Sequence, residues 1–217
     1  MIRTLFNPAQ STEGDEPLAT FVFAHGAGAG QDSEFMQYMA QRLSAHNINV
    51  LRFNFAYMQL ATELGKRRPP DRANKLLAHF QQVLAELDTH LPVFIGGKSM
   101  GGRMASMLLE QSQARGCICM GYPFHPPGKP EKLRTEHLVT ISKPVLILQG
   151  ERDTFGTRQE VSQYTLSEHV SVSTLADGDH SFKPRKASGY TLEQNLQSAV
   201  KQSVKFIQLG ATTKIAD

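Results

Sequence analysis

The chain has 217 residues, 40% of them hydrophobic, enough to bury a full core as one domain spanning 1–217. Its 23 basic and 20 acidic residues leave a formal charge of +3, too small a bias to mark nucleic acid or an anionic membrane as the main partner, so a small molecule is expected. Two cysteines exclude a disulfide framework, the start MIRTLFNPAQSTEGDEP lacks the apolar run of a signal peptide, and no segment approaches the ~20 apolar residues of a membrane span; the expectation is a soluble, cytoplasmic protein.

In chain order, short apolar runs predict strands at Thr20–Ala24, Ile48–Phe53, Pro92–Gly96, Cys117–Gly121, Pro144–Leu148 and His169–Leu175, most of them buried on both faces. Cys117 and Cys119, two apart on one strand, share a face but are poorly placed to bridge each other. Between the strands lie helical patterns. Phe35, Met36, Met39 and Leu43 follow Asp32 as an N-cap, and Leu76, Leu77, Phe80, Val83, Leu84 and Leu87 follow Pro69-Pro70-Asp71. The last helix opens on Thr191-Leu192-Glu193-Gln194, a capping-box pattern, and spaces Leu196, Val200, Val204 and Ile207 for one buried face. Strand and helix alternate to the end. The fold class is therefore α/β, a mostly parallel sheet of about six to seven strands with helices on both faces and ligand chemistry at the carboxyl ends of the strands. The least regular segments, Asn54–Pro70 and Tyr122–Leu138, are too short for a large cap domain and are expected to border the cleft.

GGKSMGGR, at 96–103, carries two incompatible signatures. A Walker A loop needs a glycine five residues before the glycine of GKS, and that position is Pro92, inside a strand. A dinucleotide fingerprint in HGAGAGQDS puts Gln31 where its last glycine belongs, with Arg52 and Asn54 where an acidic ribose ligand would stand. The GxSxG nucleophile turn fits its context: PVFIG runs as a strand into Gly97-Lys98-Ser99-Met100-Gly101, and RMASMLLEQ continues as a helix. Side chains two before and two after the serine would collide with neighbouring backbone, so glycines are required at both places. The turn lifts the Ser99 hydroxyl off the sheet and aims the next helix's amino end at the reacting carbonyl, which makes the Met100 amide an oxyanion donor.

A nucleophilic serine needs a base and an orienting carboxylate, in this fold in the order Ser, Asp or Glu, His, each after a later strand. Asp153 follows PVLILQGER and His180 follows HVSVSTL through Ala176-Asp177-Gly178-Asp179; Glu151, Asp177 and Asp179 are rivals for the carboxylate. The second oxyanion donor is expected from His25-Gly26-Ala27-Gly28-Ala29-Gly30, with Ala27 first and Gly28 next. His25 borders the substrate space, its expected part being to hold that loop by a hydrogen bond; no companion gives it metal-ligand spacing. Arg52, Tyr57, Lys98 and His125 also fall near strand ends or cleft loops, and together with Arg103 and Lys66-Arg67-Arg68 they hint at an anionic substrate.

HGAGAG, RFNFAYM, KRRPPDR, GGKSMGGR, GYPFHPPGKPEKLRTEHL, LQGERDTFGT and DGDHSFK together resemble the small α/β-hydrolase-like family labelled predicted hydrolase or dienelactone-hydrolase-like, over nearly the whole chain. The resemblance implies a reduced α/β-hydrolase fold with Ser99, Asp153 and His180 as the triad. Two departures matter: dienelactone hydrolases carry a cysteine nucleophile where Ser99 stands, and RFNFAYM has Ala56 where the pattern usually has proline. The expected activity is hydrolysis of a small ester or thioester through an acyl-enzyme, without metal or cofactor. Two alternatives fit the same residues. One is a catalytically silent interaction module on the same fold, the other a peptidase or acyltransferase on the same triad.

Overall fold

A computed structural model describes residues 2–10 and 15–212. In chain order the elements are β1 (Thr4–Asn7), β2 (Ala19–Ala24), α1 (Glu34–Ser44), β3 (Ile48–Phe53), α2 (Ala56–Leu64), α3 (Ala73–Ala85), β4 (Val93–Lys98), α4 (Met100–Leu108), β5 (Cys117–Met120), α5 (Glu136–Thr140), β6 (Val145–Gly150), α6 (Arg158–Val161), β7 (Val170–Leu175) and α7 (Leu192–Thr212). The seven strands form one sheet in the order β1-β3-β2-β4-β5-β6-β7, parallel except for β1, which pairs antiparallel with β3. The chain winds outward to one side from β2 to β3 and to the other from β4 to β7, so the strand order reverses between β2 and β4. That crevice, beyond the carboxyl ends of the strands, is where open parallel sheets bind ligands.

Side-chain alternation in the central strands feeds two cores. Phe21, Phe23, Ile118 and Met120 face α1 and α7 and pack with Met36, Met39, Leu43, Val200 and Ile207. Val22, Ala24, Ile95, Cys117 and Cys119 face the opposite layer with Leu76, Phe80, Val83, Met104 and Leu108. Burial on both faces explains why these strands read as unbroken apolar runs. The two thiols share a face as expected and are free, with Sγ atoms 3.7 Å apart. At α7 the capping box forms: the Thr191 N–H donates to Gln194 Oε1 (2.8 Å) and the Gln194 N–H to Thr191 Oγ1 (3.2 Å).

Three features depart from the sequence reading. β1 was not expected, because TLFN is a short edge strand with exposed side chains and no core-facing alternation. The segment 54–70, expected to be irregular, contains α2; Tyr57 is its one buried residue, so no apolar stripe marks the helix. The N-cap of α1 is Ser33 rather than Asp32, and its side chain makes no capping hydrogen bond.

Phe80 sits fully buried against Phe53, with ring centroids 4.9 Å apart, and also faces Phe55. Phe80→Ala leaves a cavity in this cluster and is expected to cost about 3–5 kcal/mol in urea unfolding without changing the m-value.

Candidate active site

Ser99 occupies the single residue between β4 and α4, with φ +50° and ψ −114°, a conformation rare for a residue with a side chain. Its N–H donates to the Met120 carbonyl (2.9 Å) and its carbonyl accepts from Arg103 (3.0 Å), so the strand and the helix hold the turn from both sides. A methyl at Gly97 would lie 2.5 Å from the Gly101 backbone, and one at Gly101 would lie 2.5 Å from the Ala24 carbonyl oxygen. Close approach of β2, β4 and α4 therefore forbids any side chain at those two places.

His180 arrives from the loop after β7 and places Nε2 2.8 Å from Ser99 Oγ and Nδ1 2.7 Å from Asp153 Oδ2. A carboxylate can only accept, so Nδ1 carries the proton and Nε2 is left to accept from the serine hydroxyl. Phe155 packs on the imidazole, ring centroids 4.3 Å apart. Asp153, in the loop after β6, is 0% exposed. Its Oδ1 accepts the Phe155 N–H (2.9 Å) and its Oδ2 accepts from Gln149 Nε2 (3.0 Å). The rival carboxylates have other work. Glu151 pairs with Arg158 and accepts the Asp177 N–H, Asp177 pairs with Arg152 and Arg185, and Asp179 accepts the N–H groups of Ser181 and Lys183.

Gln149 escaped the sequence reading. It is fully buried at the end of β6, where its amide also joins the Tyr122 backbone and the Gly156 carbonyl, tying Asp153 to the loop after β5. The available signal was a polar side chain in the otherwise apolar run PVLILQ.

The glycine-rich loop after β2 is clamped from behind. His25 Nδ1 donates to the Gly26 carbonyl (2.6 Å) while Nε2 accepts the Phe55 N–H (3.0 Å). The Tyr57 hydroxyl donates to the Ala27 carbonyl (3.1 Å), Arg52 donates to the Gln31 carbonyl (2.6 Å), and Asn54 Oδ1 accepts the Gln31 N–H (2.8 Å). His25 thus holds the loop by a hydrogen bond, as expected, while the expectation that His25, Arg52 and Tyr57 border substrate is corrected: all three are buried, His25 and Tyr57 bonded to loop carbonyls and Arg52 to the Gln31 carbonyl and to Asn7 Oδ1. His125 is corrected likewise. It is 2% exposed, with Nδ1 2.9 Å from the Pro126 carbonyl and Nε2 3.6 Å from Glu160, and its N–H supports the Phe155 carbonyl behind the imidazole.

In a trans peptide the carbonyl and the following N–H point in opposite directions. With the Gly26 and Ala27 carbonyls turned toward His25 and Tyr57, the N–H groups of Ala27 and Gly28 are directed away from that packing. Met100 opens α4, so its N–H is a first-turn donor beyond the reach of intrahelical carbonyls.

A cavity of about 550 Å³ is lined by Ala27, Gly28, Phe35, Lys98, Ser99 and His180, among others. Lys98 is the one expected substrate-facing residue found there. Its Nζ donates to the His180 carbonyl (2.6 Å) and lies 5.7 and 5.9 Å from the ring centroids of Phe35 and Phe182. Burial pushes its pKa down to about 8, with Asp153 and Asp179 opposing the shift. Among the described residues no group of three His, Cys, Asp or Glu is placed to hold a metal, and no helix is long and apolar enough to cross a membrane.

Residues 17–208 match the family model of the alpha/beta hydrolase domain, and the chain belongs to that family. Three solved structures share the fold. One is an alpha-beta serine hydrolase homologue from Coxiella burnetii (TM-score 0.67, 14% identity, covering 96% of this chain and 90% of that one). Another is an a/b serine hydrolase without lid from Xanthomonas campestris (TM-score 0.64, 16% identity, 96% and 87%). The third is a dienelactone hydrolase from Anabaena variabilis (TM-score 0.65, 19% identity, 92% and 89%).

Two outcomes test this geometry. Gly101→Ala forces a methyl into backbone and is expected to destabilise the protein by about 1–3 kcal/mol or more in urea unfolding. Burial pushes the His25 pKa down to about 4, from 6.5, against the pull of its Gly26 hydrogen bond. Between those values the unfolded chain binds more protons, so stability falls as pH drops from about 6.5 toward 4, by about 2 kcal/mol at pH 5 from this residue. Urea unfolding at pH 7 and pH 5 should show that drop in the wild type and a smaller one in His25→Gln, which has no ring to titrate.

Proposed function

We propose that this protein is a serine hydrolase that cleaves small esters or thioesters through an acyl-enzyme, acting as one catalytic domain without metal or cofactor. The observation that carries the reading is the hydrogen-bonded series from Ser99 through His180 to buried Asp153, held at a strained turn that lines an open cavity. The serine-hydrolase neighbours support it at the level of fold.

The Ser99 oxygen attacks the substrate carbonyl carbon as its proton passes to His180 Nε2. Asp153 fixes the tautomer and stabilises the imidazolium, itself remaining ionised. The tetrahedral oxyanion is held by the N–H groups of Met100 and Ala27, donors each worth roughly 3 kcal/mol in other enzymes. His180 then returns the proton to the departing alcohol or thiol, leaving the acyl group on Ser99. Water, deprotonated by the same nitrogen, attacks the acyl carbon, and collapse of the second tetrahedral species restores Ser99 and frees the acid. Lys98 serves as a positioning residue through its bond to the His180 carbonyl.

A fluorophosphonate probe should add to Ser99 in folded protein, read by the mass of the Ser99 peptide. A panel of p-nitrophenyl esters, anilides and acyl thioesters should show ester or thioester turnover. Turnover should fall at least about 10³-fold in Ser99→Ala and about 10⁴-fold in Asp153→Asn. No adduct on Ser99 would refute the mechanism, and anilide cleavage without ester turnover would reassign it to a peptidase.

A further inference from the structure

The glycine-rich loop borders more than the cavity at Ser99. A second cavity of about 510 Å³ also has Ala27 and Gly28 in its wall, so these two residues form a rim common to both spaces. The far side is built by the last turns of α2 and by Lys66, Arg67 and Arg68. Gly65, at φ +61°, ends α2 with its N–H on the Thr62 carbonyl and the Lys66 N–H on the Ala61 carbonyl, which fixes where the three cations leave the helix.

The charged side chains that line this second space are all basic. No Asp or Glu lines it, and none of the three cations is ion-paired among the described residues. Glu63, the nearest carboxylate on α2, is 3.5 Å from Arg3 and accepts from Gln59. In the first cavity Lys98 also makes no ion pair: its Nζ bonds a carbonyl and lies over two aromatic rings, Asp153 and Asp179 act on it only at longer range, and Glu34 is the one carboxylate in the wall. A basic run serving only solubility has no need to stand on a concave wall beside a reactive serine. Here the cations concentrate positive potential in a space that shares its Ala27–Gly28 wall with the cavity of the nucleophile.

On the basis of the hydrolase reading, we propose that the substrate is an ester or thioester bearing a phosphate group, seated on Lys66–Arg68 while its carbonyl lies at Ser99. Three adjacent cations, two of them guanidinium forks, match the charge and the several acceptor oxygens of a phosphate. The Ala27–Gly28 rim carries no side chain larger than a methyl, so a flexible linker can cross it between the two ends.

The test uses two substrate pairs that differ only in the phosphate: 1-butyrylglycerol 3-phosphate against 1-butyrylglycerol, and S-butyryl phosphopantetheine against S-butyryl pantetheine. The phosphate-bearing member of at least one pair should show kcat/KM at least about 10-fold higher, carried in KM. That ratio should shrink as NaCl rises and fall toward one in Arg67→Glu/Arg68→Glu, which alters exposed side chains and should retain the wild-type circular dichroism. Lys201→Glu/Lys205→Glu, the same charge change on exposed positions of α7, should leave the ratio intact. Equal kcat/KM within both pairs overturns the phosphate site and leaves the hydrolase reading standing. A ratio lost equally in the α7 variant also overturns it, as an effect of net charge alone. Absence of turnover of every ester, including p-nitrophenyl butyrate, removes the hydrolase reading and this inference with it.

Discussion

The site depends on one close approach: the end of β2, the end of β4 and the start of α4 meet with no side chain between them. The Ala24 and His25 carbonyls fill the space that a Cβ at Gly101 would need, and the Gly101–Gly102 backbone fills the space at Gly97. That contact is what permits Ser99 to sit at φ +50°, because its neighbours are locked by backbone rather than by adjustable side chains. The strain is small beside the burial of two apolar layers on a continuous parallel sheet, so the fold can hold a turn that an isolated peptide would relax.

Around this point the polar residues divide their work. His25, Tyr57, Arg52 and Asn54 all reach the glycine-rich loop from behind, and each satisfies a backbone group of that loop or its flank. Gln149 does the corresponding work for Asp153, and His125 supports the chain at Phe155. The surface left toward the cavity is the glycine-rich loop, the side chains of Phe35, Met36 and Phe155, three serines, and one each of glutamate, imidazole and lysine. Rigidity of the supporting groups matters because a hydrogen-bonded series is sensitive to sub-ångström shifts, and buried partners hold their geometry better than solvated ones.

Ionisation follows the same division. Burial keeps His25 neutral, which suits a ring that must donate at one nitrogen and accept at the other. His137, under the loop after β5, is likewise pushed down to about 4, by burial and by nearby Arg103, while it faces the Ser106 hydroxyl. Lys98 and Lys66–Arg68, which make no ion pair among the described residues, line the two cavities that share Ala27 and Gly28.

Much of this was legible in the residue order. Unbroken apolar runs announce strands buried on both faces, and the spacing of Leu196, Val200, Val204 and Ile207 announces α7, because period alone decides which side chains share a face. GKSMG between a strand and a helix, with an aspartate and a histidine after later strands, was enough to nominate three residues that the fold brings into hydrogen-bond contact. β1 and α2 were not legible, since one is an exposed edge and the other buries a single side chain, and neither leaves a hydrophobic period. Nor was the direction in which each polar side chain near a strand end points. Arg52, Tyr57 and His125 have the chemistry of substrate contacts, and only packing decided that they turn inward to backbone while Lys98 enters the cavity. Sequence determined the periodic and covalently local features: the apolar strands, the helices with an apolar stripe, and the glycines flanking Ser99. Tertiary structure decided the long-range pairings, because whether a buried polar atom meets backbone or solvent depends on which distant segment lies against it.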